Sequence, residues 1–382
     1  MRIGVFLGCH PVGGGVYQYC ISILDALKAL SAKRGWQVVV VHDARGWEQR
    51  LAGYPFQAMA APRYKMSRRL YRTFESLRLP IEPLRFAFRY LHPLVKTFHR
   101  LGCERWIFPS QDIWPSLLSG VFSIATIHDL MHRYERRFPE VGARREFQAR
   151  EYRYRNMCRY ARRILTDSRL GKQQVMDCYG AHLHDKLWPL PFTLPEYFKR
   201  CSGDLSVLKK RGIDTDNFLF YPAQFWPHKN HGNLLLAFRE LKAAHPDLHL
   251  VLVGAKRNAW RDVRALIAQL ALEDRVHLLG YVNDEEMVGL YKLAKALVMP
   301  TFFGPTNIPP LEAAWFSCPV VYSNIYAFAE MNVDNMIGID PASVADICRG
   351  IDLALRGEAQ TRPASPRGLD FAAALEEILQ QD

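Results

Sequence analysis

Short, uniformly apolar runs alternate along the chain with stretches of helical periodicity. Ile3–Leu7 is apolar throughout and ends at Gly8, and a glycine cluster follows at Gly13-Gly14-Gly15. Val16, Tyr19, Ile23, Leu24, Leu27 and Leu30 then recur at the spacing of one helix face, which predicts a helix that Gly35 stops. Runs like the first recur at Val38–Val41, Phe122–Ile127, Ile164–Thr166, Phe218–Tyr221, Leu248–Val253, Val276–Leu279, Ala296–Met299 and Pro319–Tyr322. Strands that are apolar on both sides and separated by helices belong to parallel sheets buried on both faces. The pattern therefore predicts an α/β protein with two doubly wound, Rossmann-like units.

A prior of about 150 residues per domain divides 382 residues into two or three domains. The chain is 49% hydrophobic and 12% aromatic, enough for two cores, which excludes a disordered chain or a small disulfide scaffold. No apolar run reaches the roughly 18 residues of a membrane-crossing helix. The expected boundary is Trp188-Pro189-Leu190-Pro191, giving domains at 1–190 and 191–368. A stretch rich in Pro, Gly, Ser and Thr at 356–368 precedes a last helix, 369–382, expected to pack back on the first domain.

Charge sharpens that division. Residues 1–190 hold 31 Lys and Arg against 15 Asp and Glu, whereas residues 191–382 hold 19 against 23. The basic surplus concentrates in 63–100 and 133–163. In 63–100, Leu70, Phe74, Leu77, Phe86, Tyr90 and Leu94 keep helical spacing with Arg and Lys between them. That segment reads either as a solvated surface helix or as an amphipathic surface for anionic lipid. Nucleic acid is not expected as a partner, because the basic residues form no recognisable binding module. The eight cysteines are scattered without C-x-x-C pairs, and Leu7-Gly8-Cys9 has too short a leader for a lipobox, so a reducing, cytoplasmic setting is expected.

Between a strand and a helix, the glycine cluster suits either a tight turn or a close backbone approach to an anion. The dinucleotide pattern G-x-G-x-x-G fails because Gln18 stands where its last glycine would be. In the second half, Gln224-Phe225-Trp226-Pro227-His228-Lys229-Asn230, Gly280-Tyr281-Val282 and Phe303-Gly304-Pro305-Thr306-Asn307-Ile308-Pro309-Pro310-Leu311-Glu312-Ala313 each follow a predicted strand. Open α/β sheets bind ligands at such carboxyl ends. A lysine at a helix start is otherwise unfavourable there, whereas a glutamate in a first turn suits the helix dipole with or without a ligand. A lone histidine after a strand, such as His128, is more often structural than a ligand contact, and its spacing of four from His132 is not read as a metal pair; no metal site is expected.

In combination and order, these segments, together with Thr126-Ile127-His128-Asp129-Leu130 and Thr166-Asp167-Ser168 with Lys172, resemble the GT-B retaining glycosyltransferases of family 4, bacterial polysaccharide and lipopolysaccharide enzymes among them. The resemblance implies two Rossmann-like domains facing a central cleft. It also implies transfer of a hexose-type sugar from a nucleoside-diphosphate sugar to a saccharide or lipid-linked saccharide, with no cofactor or metal. Lys229 would hold the donor diphosphate, Glu312 the ribose, and His128 the donor sugar or its phosphate. Gly14 and Gly15 would complete the donor site, with Gln224 and His228 near the diphosphate, Tyr281 and Val282 bordering the base, and Thr306, Asn307 and Ile308 facing the sugar. Two positions depart from the family pattern. Gln224 occupies an arginine slot, and Gly304 occupies the slot of the first glutamate in a Glu-x7-Glu pair. The implied activity is a retaining glycosyltransferase at the inner face of the cell membrane; the alternative is a catalytically silent relative that binds a sugar nucleotide.

Overall fold

The computed structural model describes residues 1–11, 14–62, 65–304, 307–331, 333–358, 362–363 and 370–381. It divides into two units, one of Met1–Arg137, Val141–Pro195 and Leu369–Asp382, the other of Phe138–Glu140 and Glu196–Gly368.

The first unit is built on seven strands: β1 (Arg2–Leu7), β2 (Gln37–His42), β3 (Gln57–Ala60), β4 (Arg105–Ile107), β5 (Phe122–Ile127), β6 (Arg163–Thr166) and β7 (Leu187–Pro189). All pair in parallel, in the order β3-β2-β1-β4-β5-β6-β7. The second unit contains β8 (Phe218–Pro222), β9 (His249–Val253), β10 (Val276–Gly280), β11 (Ala296–Met299), β12 (Val320–Ser323), the short β13 (Val333–Asp334), β14 (Ile337–Ile339) and β15 (Arg362–Pro363). Its main sheet is also parallel, in the order β10-β9-β8-β11-β12-β14. In both sheets the order reverses beside the first strand, between β1 and β4 and between β8 and β11. Loops diverge at these points and leave a crevice at the strands' carboxyl ends.

Every strand expected from an apolar run is present. The strands that the pattern does not announce are short or lie at an edge. β3 is largely exposed, β4 spans three residues, and β14 is interrupted by Gly338. β7 contains Pro189, read from the sequence as part of the domain boundary; an edge strand tolerates proline because its outer N–H has no ladder to join. The chain stays with the first unit beyond it. Leu190 N–H donates to Thr166 O at 2.7 Å, and the Tyr19 and Ser22 hydroxyls donate to Leu190 O and Thr193 O at 3.3 and 3.1 Å. The division thus falls after Pro195 rather than at 190. The last helix, Phe371–Gln380, lies on Gly15–Arg34, where Lys33 and Arg34 pair with Glu376 at 3.1 and 2.5 Å.

The segment 63–100 departs further from the sequence reading. Prolines at 80 and 93 break it into three helices, Lys65–Leu77, Glu82–Leu91 and Pro93–Arg100, so one apolar phase cannot run through all of them. Tyr71, Ile81, Leu84 and Phe88 face the core together with Leu94, whereas Leu70, Leu77, Phe86, Tyr90 and Leu91 point outward. In 133–163 part of the basic charge is paired within the unit. Arg133 and Arg155 pair with Glu151, Arg150 with Asp129 and Glu146, and Arg159 with Glu82.

Candidate functional site in the second domain

Beyond β8 the backbone is tied on both sides. Ala223 N–H donates to Val253 O and Phe225 N–H to Ala255 O, while Ala259 N–H returns a bond to Phe225 O. Pro227-His228-Lys229 then makes a single tight turn, closed by Asn230 in the left-handed region at φ 56°. Asparagine tolerates that conformation, and its side chain donates to Pro300 O at 2.9 Å and Pro341 O at 2.7 Å. Tyr221 Oη donates to Lys229 O at 2.9 Å, and Phe302 N–H to His228 O at 2.8 Å. The lysine backbone is therefore held from β8 and from the loop after β11, the two strands flanking the reversal point.

Lys229 Nζ donates to Asn307 Oδ1 at 3.2 Å. Burial lowers its pKa to about 8, although the Glu140 carboxylate pulls the other way. Asn307 is oriented by its amide, which donates to Gly304 O at 3.2 Å and Tyr322 Oη at 2.7 Å and leaves the carbonyl for the ammonium. Asn307 precedes the helix Ile308–Trp315 without capping it, and the Ile308 side chain is buried. Thr306 and Pro305 lie outside the described residues.

This arrangement explains the glycine at 304. Its φ is +124°, and an added Cβ would come within 2.6 Å of Asn307 Nδ2. A glutamate there is incompatible with both the backbone and the asparagine amide that orients Lys229. Gly304→Ala is expected to cost about 1–2 kcal/mol in denaturant unfolding and to weaken binding of a nucleoside diphosphate, because Asn307 must move. Unchanged stability and binding would contradict this account of the loop.

His228 is engaged rather than available. Its ring stacks on Phe303 at 3.8 Å, and its Nδ1 and backbone N–H both donate to Glu140 Oε1, at 2.5 and 3.1 Å. Burial pushes the Glu140 carboxyl upward, but these bonds hold it below the usual range. Glu140 is foreign to every sequence motif, since it lies far from the second half of the chain and joins its unit only in three dimensions. Gln224 holds a cation in place of being one: its Oε1 accepts from Arg257 Nε and Trp226 Nε1, both at 3.0 Å, with the guanidinium 5.1 Å from the Trp226 ring. Arg257 was likewise invisible to motif reading, because it belongs to the loop after β9. Glu312 is buried and accepts from Tyr291 Oη at 2.6 Å. Beyond β10, Tyr281 is 75% exposed while Val282 is buried.

In the first unit, Gly14 takes φ 100° just before the helix Gly15–Arg34, a conformation that favours glycine. Gly13 lies outside the described residues. His128 follows β5, with its Nε2 2.9 Å from Pro109 O and its ring stacked on Phe192; burial lowers its pKa. Asp129 binds the Arg150 guanidinium at 2.9 Å and Met131 N–H at 2.9 Å, so it shapes the loop. His132 is 2.9 Å from Glu151 rather than in a metal pair with His128. Among the described residues no group of three metal-ligating side chains is found.

Lys229 is fixed beside the reversal point of a parallel sheet, Glu312 is buried in the helix after β11, and Gln224 holds Arg257 in the loop after β9. The two parallel-sheet domains have the GT-B fold of solved glycosyltransferase structures. Residues 207–367 match the family Glycosyl transferases group 1, and the chain is a glycosyltransferase. It is similar to the O-antigen chain mannosyltransferase B of Escherichia coli, 27% identical over 301 residues, which are 74% of each chain. A shorter match joins it to the O-antigen chain mannosyltransferase RfbU of Salmonella typhimurium, 27% identical over 34% of this chain and 35% of the relative. Among solved structures, Anabaena Alr3699/HepE in complex with UDP and glucose shares the fold at a TM-score of 0.73 and 15% identity, covering 100% of this chain and 98% of the other. WaaG, a glycosyltransferase involved in lipopolysaccharide biosynthesis, does so at 0.65 and 15%, covering 100% and 96%.

Proposed function

We propose that the chain is a retaining glycosyltransferase of family 4 that moves a hexose-type sugar from a nucleoside diphosphate to a saccharide or lipid-linked saccharide acceptor in cell-surface polysaccharide or O-antigen synthesis. The observation that carries this reading is Lys229, anchored at the reversal point and aimed by Asn307 within the group 1 domain. Breaking the bond between C1 of the sugar and the β-phosphate oxygen leaves charge on the diphosphate, which Lys229 stabilises and Arg257 shares. The acceptor hydroxyl oxygen bonds to C1 on the face that the diphosphate leaves, and its proton passes to a β-phosphate oxygen. With two cations in place the reaction needs no metal or other cofactor. Glu312 accepts the ribose hydroxyls, Tyr281 and Val282 border the base, and Ile308 and Asn307 lie toward the sugar.

A panel of nucleotide sugars, screened by thermal shift and then for nucleoside-diphosphate release with saccharide acceptors in the presence of EDTA, tests this. One donor should raise stability in proportion to RT ln(1 + [L]/Kd) and be turned over. Binding without turnover would favour a silent sugar-nucleotide binder, and no binding would overturn the reading.

The acceptor side is proposed to meet the anionic inner face of the membrane through Glu82–Leu91. Phe86 is 71% exposed and Leu91 75%, with Tyr90 packed edge-on to Phe86 at 5.4 Å. No helix among the described residues is long and apolar enough to cross a membrane, so association would be interfacial. Phe86→Glu with Leu91→Glu should abolish co-sedimentation with phosphatidylglycerol vesicles while leaving nucleotide binding intact; undiminished sedimentation would refute the surface.

A further inference from the structure

The glycine cluster lies between β1 and the helix Gly15–Arg34, and β1 borders the reversal point of the first sheet. Loops in that position take the ligands of open α/β sheets. A cysteine stands on each side of the cluster. Cys9 lies in the loop just after β1, and Cys20 in the second turn of the helix. Their sulfurs are 3.6 Å apart. Cys9 is half-buried and Cys20 fully buried.

This pair differs from the other cysteines. Cys103, Cys178, Cys201, Cys318 and Cys348 direct their thiols at oxygen atoms. Burial pushes every thiol except Cys9 above its usual pKa. Cys9 is held below it, chiefly because the Cys20 thiol donates to its sulfur, although burial pulls the other way. The thiolate is the form that reacts with oxidants, and partial exposure admits a small one. Cys20 is shielded from solvent, so it is placed to react with an oxidised Cys9 rather than with the oxidant itself.

The backbone is fixed at both ends. Trp47 Nε1 donates to Cys9 O at 2.9 Å, and Cys20 sits on the buried face of its helix beside Ile23, Leu24 and Leu27. From contact distance, side-chain rotation closes a sulfur–sulfur bond of about 2.05 Å.

We propose that Cys9 and Cys20 are a modification site, at which hydrogen peroxide installs a reversible disulfide that restrains the glycine loop. The Cys9 thiolate attacks one peroxide oxygen, the O–O bond breaks, and the departing hydroxide takes up a proton to become water. Sulfur is thereby oxidised to the sulfenic acid, and peroxide is reduced. The Cys20 sulfur then attacks the Cys9 sulfur. The S–S bond forms, the S–O bond breaks, and the hydroxyl leaves as water with the Cys20 proton. Both thiols and one peroxide thus give a disulfide and two waters. In a reducing compartment the bond is transient, because cellular dithiols return it to the thiols. While it lasts it ties together positions 11 residues apart and removes conformations from the loop between them.

Peptide mapping of the full chain under non-reducing conditions, before and after hydrogen peroxide, tests this. The peptides carrying Cys9 and Cys20 should become linked, with one hydrogen lost from each sulfur, and dithiothreitol should release them. Amide hydrogen exchange across 10–19 should slow about tenfold in the oxidised protein. In Cys20→Ser, Cys9 has no thiol to resolve it and should instead be trapped by dimedone as the sulfenic acid. The wild-type map needs no variant and decides the matter even if Cys20→Ser fails to fold. Cys9 left unlinked, Cys9 linked to a different cysteine, or unchanged exchange across the loop would overturn the proposal. None of these readouts depends on glycosyl transfer.

Discussion

Replacing Lys229 with alanine is expected to lower kcat/KM for the nucleotide-sugar donor by about 10²- to 10³-fold, with little change in fold. The ammonium sits where the carboxyl ends of β8 and β11 diverge, and its partner, Asn307, is neutral, so its charge is available to a diphosphate. Removing it leaves the developing negative charge to Arg257 and neutral groups. The same residue should set a pH limit. Lys229 in the free enzyme has a pKa of about 8, pushed down by burial and pulled up by Glu140, so it is charged below that pH and neutral above. Because kcat/KM reports the free enzyme, it should fall as pH rises through about 8, and the alanine variant should lose that limb. A pH profile that keeps the limb in Lys229→Ala would assign it to another group.

Glu312→Ala is expected to abolish detectable transfer and to destabilise the second domain by about 1–3 kcal/mol, because Tyr291 Oη would remain buried without its acceptor. Burial, and the Glu312 carboxylate after it, raise the tyrosine pKa well above its usual value, so the hydroxyl stays a donor. Glu312→Gln separates the two roles. It keeps an acceptor for Tyr291 and should restore unfolding stability, while the donor KM stays raised because an amide is a weaker acceptor for ribose hydroxyls than a carboxylate. Wild-type donor KM in the glutamine variant would reduce Glu312 to a structural residue.

What the sequence makes legible is what is local. Long apolar runs between helices, such as Phe122–Ile127 and Phe218–Tyr221, announce buried parallel strands, because a strand covered on both faces has no polar side to alternate. Strands with little apolar content of their own, like Gln57–Ala60 at an edge or Arg105–Ile107, are set by neighbours that the local pattern does not contain. The site divides in the same way. Lys229 and Glu312 sit within recognisable strings, but the residues that finish their environment, Glu140, Arg257 and Tyr291, come from distant segments. The departures at 224 and 304 from the family pattern each have a structural counterpart. In three dimensions Gln224 grips Arg257, and Gly304 makes room for the amide of Asn307. The basic surplus is similarly reapportioned, with several arginines of 133–163 held in internal ion pairs and the outward Phe86 and Leu91 left on Glu82–Leu91.

The central claim is that Lys229 receives the diphosphate of the donor. Isothermal titration of the wild type and of Lys229→Ala with a nucleoside diphosphate, and with the monophosphate of the same base, addresses it directly. The account predicts that the wild type binds the diphosphate at least tenfold more tightly than the monophosphate, and that this preference disappears in Lys229→Ala. Equal preference for the diphosphate in both proteins would contradict it.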